Sequence, residues 1–278
     1  MFQLKDKNVV ITGAASGIGE ALAVQLAQQG AQLMLADIDA TGLERVALAV
    51  GAFGKACHTL VVDTGVEADI FKLASYAEAR MGSADVIINN AGVALVSPID
   101  KLQTSDANWL MNINFWGVVH GCRAFLPQLK NRPQAMIVNV SSIFAMVSMP
   151  TQGMYNAAKA GVRAFSDSLR EELRGTSVGV LCVHPGGIKT NIANKARVID
   201  TEMLQVSADG MRHQFNSVAR TTPEQAARTI IAAMQTQKTR VLIGADARIL
   251  DWMYRISPHK SSNWFSRISR RMTPKEKV

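Results

Sequence analysis

Asn8-Val9-Val10-Ile11-Thr12-Gly13-Ala14-Ala15-Ser16-Gly17-Ile18-Gly19 reads as a β-branched strand that breaks on a glycine turn and opens straight into a helix. Gly13 permits the sharp turn, while Gly17 and Gly19 let the backbone approach a ligand and let helix pack on strand. The helix start offers unpaired N–H groups and the positive end of its dipole, a seat for phosphate. Gly13, Ser16, Gly17, Ile18 and Gly19 are therefore candidate residues for a pyrophosphate, although an ordinary strand-to-helix turn would use the same glycines.

The same alternation continues outward. Short apolar runs at Gln32–Asp37, Lys55–Val62, Val86–Asn89, Met136–Ser141, Val178–His184 and Arg240–Ile243 follow the first strand. Between them, Gly17–Gln29, Leu43–Val50, Glu67–Met81, Ser105–Leu129, Tyr155–Arg174 and Pro223–Gln235 carry helical spacing of apolar residues. The pattern predicts an α/β fold, a doubly wound seven-stranded parallel sheet with helices on both faces. Right-handed crossovers bring the carboxyl ends of all its strands to one edge, where such sheets bind ligands. One domain is expected over residues 1–244, with 186–222 as a substrate-facing insertion and 245–278 as a basic amphipathic tail.

Composition narrows the classes. The 278 residues are 48% hydrophobic and 19% charged, which suits a large core and excludes a disordered chain. Of the net charge of +8, residues 252–278 hold +6, leaving about +2 for the rest, so nucleic acid is not expected as a partner. Cys57, Cys122 and Cys182 fit neither a metal site nor a disulfide framework. Met1 to Asn8 runs straight into the first strand, leaving no room for a signal segment, and no apolar run is long enough to cross a bilayer. A cytoplasmic protein is expected.

Asp37 ends the second strand, where a carboxylate can accept two hydrogen bonds from an adenosine ribose and would repel a 2′-phosphate. Ile38 follows, and the glycine turn contributes only Ala14, Ala15 and Ser16, so no cation is expected there and NAD is favoured over NADP. Asp63 can either hydrogen-bond an adenine amino group or cap the helix that begins near Val66. Asn89-Asn90-Ala91-Gly92 closes the fourth strand with small residues that let backbone lie against a cofactor while the Asn side chains tie strands together.

Taken in order, Thr12-Gly13-x-x-x-Gly17-x-Gly19, Asn89-Asn90-Ala91-Gly92, Asn114, Ser142, Tyr155-x-x-x-Lys159 and Pro185-Gly186 resemble the short-chain dehydrogenase/reductase family across residues 8–190. Ala145 and Ala158 depart from its common residues at packing positions only. The resemblance implies a Rossmann-type sheet, an NAD(P) cofactor, hydride transfer and a homodimer or homotetramer. It also implies that Asn114 holds a water linking Lys159 to solvent, and that Pro185, Gly186, Ile188 and Thr190 frame the nicotinamide. The residues make chemical sense on their own. Removing a hydroxyl proton needs a base, and a phenol near pKa 10 is in the wrong state at neutral pH. Lys159 stands one helical turn from Tyr155, where an ammonium can stabilise the phenolate, and Ser142 can steady charge on the substrate oxygen. Asn114, Ser142, Tyr155 and Lys159 are the candidate catalytic residues, and Tyr155 and Lys159 also candidate cofactor ligands, with His184 read as a core histidine.

Val93, Phe144, Met146, Met149 and Met154, with Met203, Leu204, Met211 and Phe215 of the insertion, predict an apolar substrate pocket suited to a lipophilic alcohol or ketone. In the tail, Ile249, Trp252, Met253 and Ile256, then Trp264, Phe265, Ile268 and Met272, form apolar stripes beside Arg267 and Arg270. They suit peripheral membrane contact over 249–272, a lid or an oligomer contact. The alternative to an enzyme is an NAD(H)-binding sensor or scaffold of the same fold, which would need the glycine turn and Asp37 but not the Ser–Tyr–Lys set.

Overall fold

A computed structural model describes residues 1–54, 56–199 and 219–260. The chain runs β1 (Asn8–Thr12), α1 (Gly17–Gln28), β2 (Gln32–Asp37), α2 (Ala40–Gly51), β3 (Cys57–Val61), α3 (Glu67–Met81), β4 (Val86–Asn89), β5 (Leu95–Val96) and α4 (Thr104–Met111). A π-helical turn (Asn112–Trp116) leads into α5 (Gly117–Lys130), β6 (Ala135–Val140), α6 (Gly153–Glu172), β7 (Val178–Pro185), β8 (Arg197–Val198), α7 (Pro223–Gln235), β9 (Arg240–Ile243) and α8 (Ala245–Ile256).

Seven strands form one sheet in the order β3-β2-β1-β4-β6-β7-β9, every neighbouring pair parallel. Alternate strand residues supply opposite faces, as a two-residue period requires. Val9, Ile11, Leu33, Leu35, Val138 and Val183 pack with Leu22 and Leu26 of α1 and Ile230 of α7. Val10, Met34, Ile87, Ile137 and Val180 face the other way, against Leu73 of α3, Phe125 of α5 and Val162 of α6. After β3 the chain returns to the far side of β1, so strand order reverses between β1 and β4 and a crevice opens beyond their carboxyl ends.

Some differences from the sequence reading have identifiable reasons. Helix α2 starts at Ala40 rather than Leu43 because Asp39 caps it, its carboxylate accepting from the Gly42 N–H. The segment read as one helix over Ser105–Leu129 is broken by the π turn, whose extra residue has no signature in apolar spacing. Residues 245–256 form a helix whose Ala247 and Leu250 pack with Ile143 and Val147, beyond the strand–helix alternation but against the domain.

The sheet interior also holds polar side chains. Asn89 donates to Asn139 Oδ1 at 2.8 Å, and Asn139 donates to the Ser166 hydroxyl at 3.0 Å, linking β4, β6 and α6. Gly121 of α5 makes room for this link: a Cβ there would overlap Asn89 Oδ1. Gly121→Ala should therefore destabilise the protein by about 1–3 kcal/mol, although alanine is the better helix former by about 1 kcal/mol. Chemical denaturation measures this, and an unchanged or raised midpoint would contradict it.

Candidate active site

The crevice is lined first by the glycine turn. Gly13 and Gly17 hold φ of +65° and +58°, the left-handed region that glycine tolerates best, and a Cβ on Gly13 would lie 2.7 Å from Ala91 Cα. A Cβ on Gly19 would overlap the Gly13 carbonyl, so this glycine serves close packing of helix on turn. Ser16 stands at the N-cap of α1 without a side-chain cap hydrogen bond, which leaves first-turn N–H groups without that partner. Asn90 fastens the opposite wall by donating to the Thr12 and Gly13 carbonyls, both at 3.0 Å. The Thr12 hydroxyl accepts from the Asn90 and Ala91 N–H groups at 3.1 and 3.2 Å.

At the end of β2, Asp37 accepts from the Ala15 N–H at 2.9 Å and the Asp39 N–H at 3.0 Å, which fixes its carboxylate beside the turn. Asp63 accepts from the Gly65 N–H at 2.8 Å, so it shapes the turn before α3, whose N-cap is Val66. The expectation that no cation stands here is corrected. Arg45 of α2 donates to the Ala15 carbonyl at 2.9 Å and pairs with both carboxylate oxygens of Glu20. Its position follows from the Asp39 cap: with the helix starting at Ala40, Gly42 and Arg45 share the face toward α1, and a Cβ on Gly42 would approach Ala15 Cβ at 2.8 Å.

The chemical end forms where α6 lies against the end of β6. Burial pushes the pKa of the Tyr155 phenol up, more than the neighbouring Ser142 hydroxyl lowers it. Lys159 is buried and donates to the Val140 carbonyl at 2.9 Å, with its ammonium 5.9 Å from the Tyr155 ring centroid. Burial lowers Lys159 to about 8, which still leaves it mostly charged at neutral pH. In this arrangement, then, the lysine has not made the phenol acidic: desolvation dominates. Ser141 donates instead to the Lys159 carbonyl at 2.8 Å and so positions α6.

Asn114 sits in the π turn with no exposed surface, and its amide makes a double link to Val93, accepting from N–H and donating to C=O at 2.8 Å each. A Cβ on Gly92 would lie 3.3 Å from Asn114 Oδ1 and 3.5 Å from Lys159 Nζ, so the small residue keeps open the space between them.

Pro185 ends β7, and Gly186 donates to the Ile243 carbonyl at 2.9 Å. Lys189 donates to the Thr221 carbonyl at 2.9 Å beside an Ile188–Thr221 bridge, and a Cβ on Gly17 would meet Thr190 Cγ2 at 3.1 Å. The loop after β7 thus faces the glycine turn. Asp246, which sequence reasoning missed, accepts from the Gly187 N–H at 2.6 Å and fastens that loop to α8. Only its place two residues after Gly244, in the first turn of a helix, hints at this role.

Around Tyr155, Val93, Met154, Leu102, Trp109 and Ile199 form one apolar cluster with buried Leu95 and Leu110. Phe144 sets its ring edge-on to Tyr155 at 6.3 Å. Met146 departs from the expected pocket lining, packing with Ile143, Val147 and Leu250 in the core. Met203, Leu204, Met211 and Phe215 lie outside the described residues. The β5–β8 pair holds Ile199 over the cluster, and Arg197 secures it by stacking on Trp109 at 3.6 Å and pairing with Asp106 at 2.9 Å.

His184 lies beneath the site. Its Nδ1 donates to the Ser142 carbonyl at 3.3 Å, and burial, aided by the Arg240 charge, lowers it to about 4, so it is neutral at physiological pH. Because the unfolded histidine titrates near 6.5, the unfolded chain binds the extra proton between pH 6.5 and about 4. Stability should fall as pH drops through that window by up to about 1.4 kcal/mol per pH unit. His184→Gln should remove this part of the slope in denaturation midpoints across the window, and equal slopes for the two proteins would refute it.

The profile of the short chain dehydrogenase family matches residues 7–199. SadH of Mycobacterium tuberculosis, named as an oxidoreductase, is 38% identical over 258 residues, 92% of each chain. 11-beta-hydroxysteroid dehydrogenase A of Sesamum indicum is 32% identical over 282 residues, covering 97% of this chain and 77% of that one. A short-chain dehydrogenase/reductase from Burkholderia phymatum, solved in complex with NAD, superimposes with a TM-score of 0.82 at 26% identity over 100% of this chain and 99% of that chain. With the glycine cradle and the Ser–Tyr–Lys cluster on one sheet edge, these matches place the chain in the short-chain dehydrogenase/reductase family of oxidoreductases.

Proposed function

We propose that the protein is an NAD-dependent dehydrogenase/reductase acting on a lipophilic secondary alcohol or its ketone, with Tyr155 as acid/base. The observation that carries this reading is the Tyr155 phenol beside Ser142, with the Lys159 ammonium 5.9 Å from the centroid of its ring and the glycine turn across the same crevice. A glycine turn in the left-handed region at Gly13 and Gly17, leading into a helix start with no side-chain cap, suits the close backbone approach that the pyrophosphate of a dinucleotide needs. Gly13, Ser16, Gly17, Ile18 and Gly19 would hold its pyrophosphate and Asp37 its adenosine ribose. Asp63 would lie near the base, Asn90, Ala91 and Gly92 along the chain of the cofactor, and Pro185, Gly186, Ile188 and Thr190 at the nicotinamide. When bound, the nicotinamide supplies the hydride acceptor or donor.

The protein residues manage the proton. In the oxidative direction Tyr155, ionised, takes the hydroxyl proton of the alcohol, and in the reductive direction it returns that proton to the ketone oxygen. Ser142 donates to the substrate oxygen and steadies its developing charge. Lys159 keeps a positive charge beside the phenol and donates to the nicotinamide ribose, while Asn114 supports a relay water behind it. The aromatic and aliphatic wall of Val93, Phe144, Met154 and Ile199 offers nothing to a charged substrate. The steroid dehydrogenase among the relatives is consistent with such a wall, and the NAD-bound structural relative with the choice of cofactor.

We also propose a homo-oligomer and a cytoplasmic setting, which suits three unpaired cysteines. Peripheral membrane contact is the finer proposal for 249–272: on α8, Ile249, Trp252 and Ile256 are 57%, 64% and 57% exposed on one helical stripe, whereas the remainder of that segment from 261 lies outside the described residues. No helix among the described residues is long and apolar enough to cross a membrane.

Tyr155→Phe should lower turnover at least about 100-fold while cofactor binding, followed by fluorescence, stays within about threefold. Wild-type rates with NAD and NADP over a panel of sterol, long-chain and small polar alcohols and ketones should favour NAD and the apolar members. Better turnover of sugars would refute the lipophilic pocket, and unchanged turnover in Tyr155→Phe would refute the mechanism. Binding of NAD without turnover of any panel member would favour the sensor.

A further inference from the structure

Four charged side chains surround the Ala15–Gly42 contact at the adenosine end. Asp37 holds the Ala15 N–H, Asp39 caps α2, and Arg45 reaches the Ala15 carbonyl while Glu20, from the first turn of α1, grips both arms of its guanidinium. Three carboxylates against one guanidinium leave this corner at about −2. We propose that Glu20 is a specificity-determining residue: by clamping Arg45 onto the Ala15 carbonyl, it withholds that guanidinium from the ribose 2′ position, and the corner rejects a phosphorylated ribose. The inference rests on the NAD reading above and extends it beyond Asp37.

The geometry supports this over a plain surface staple. A planar guanidinium is the group best shaped to receive a phosphate, and here it bonds to the same residue that Asp37 holds, so it lies within one peptide of the carboxylate that meets the ribose. Its side chain is 57% exposed, and its hydrogen bonds go to Glu20 and to the Ala15 carbonyl. An ion pair that open contributes little to folding, so its removal should be read in ligand selection rather than in stability.

Calorimetric titration of the full-length protein with 5′-AMP and with 2′,5′-ADP tests the idea without reference to turnover. The wild-type protein should prefer 5′-AMP. In an Asp37→Ser background, adding Glu20→Gln should tighten 2′,5′-ADP binding about tenfold and leave 5′-AMP within about twofold. Adding Arg45→Ala to that pair should abolish the gain. Thermal midpoints of the variants check that each is folded. If Glu20→Gln leaves 2′,5′-ADP affinity unchanged in the Asp37→Ser background, or if the gain survives Arg45→Ala, the role of Glu20 is overturned while the NAD preference stands. If the wild-type protein takes 2′,5′-ADP at least as tightly as 5′-AMP, the NAD preference itself fails and the proposal falls with it.

Discussion

Lys159 keeps an ammonium inside the protein with a backbone carbonyl, that of Val140, as its hydrogen-bond partner. A carboxylate in that place would neutralise the charge and leave nothing for the phenol. A carbonyl anchors the ammonium without cancelling it, and burial draws it down only to about 8. The rest of the site serves this placement. Ser141 holds the α6 backbone at the Lys159 carbonyl, Gly92 keeps space before the ammonium, and His184 holds Ser142 from below while remaining neutral. A charged histidine there would add a second buried cation, and its burial and the nearby Arg240 oppose that.

Before any dinucleotide binds, the phenol is a weak acid made weaker by desolvation, with Ser142 offsetting part of the cost. Under the proposed function a second positive charge beside the phenol would help ionise it, which would link cofactor binding to the proton step. The role proposed for the negative corner built on Asp37 and Glu20 is one of recognition, at the other end of the crevice from the phenol.

The sequence carried most of the sheet, because parallel strands buried on both faces read as short apolar runs and each is followed by a helix with clear spacing. The glycine turn and the Tyr155–Lys159 pair were legible because their spacing is local, whereas Ser142 was singled out by the family resemblance. What escaped depends on contacts between distant segments or on single extra residues. The π turn that aims Asn114 at Val93 changes no apolar pattern, and the Arg197–Trp109 stack joins residues whose meeting only the fold decides. Asp246 on the Gly187 N–H is of the same kind. Arg45 is also of this kind, since its bonds to Glu20 and to the Ala15 carbonyl join α2 to segments that only the fold brings beside it.

The proposed mechanism requires the Lys159 charge and a bound dinucleotide together to acidify the Tyr155 phenol. An ultraviolet difference titration of tyrosine ionisation, with Tyr155→Phe as the subtraction reference, measures it directly with and without NAD. The account predicts that the Tyr155 phenolate appears at a clearly lower pH when NAD is bound, and that Lys159→Met abolishes most of that shift. A Tyr155 titration that NAD leaves in place, or one that moves equally in Lys159→Met, would contradict it.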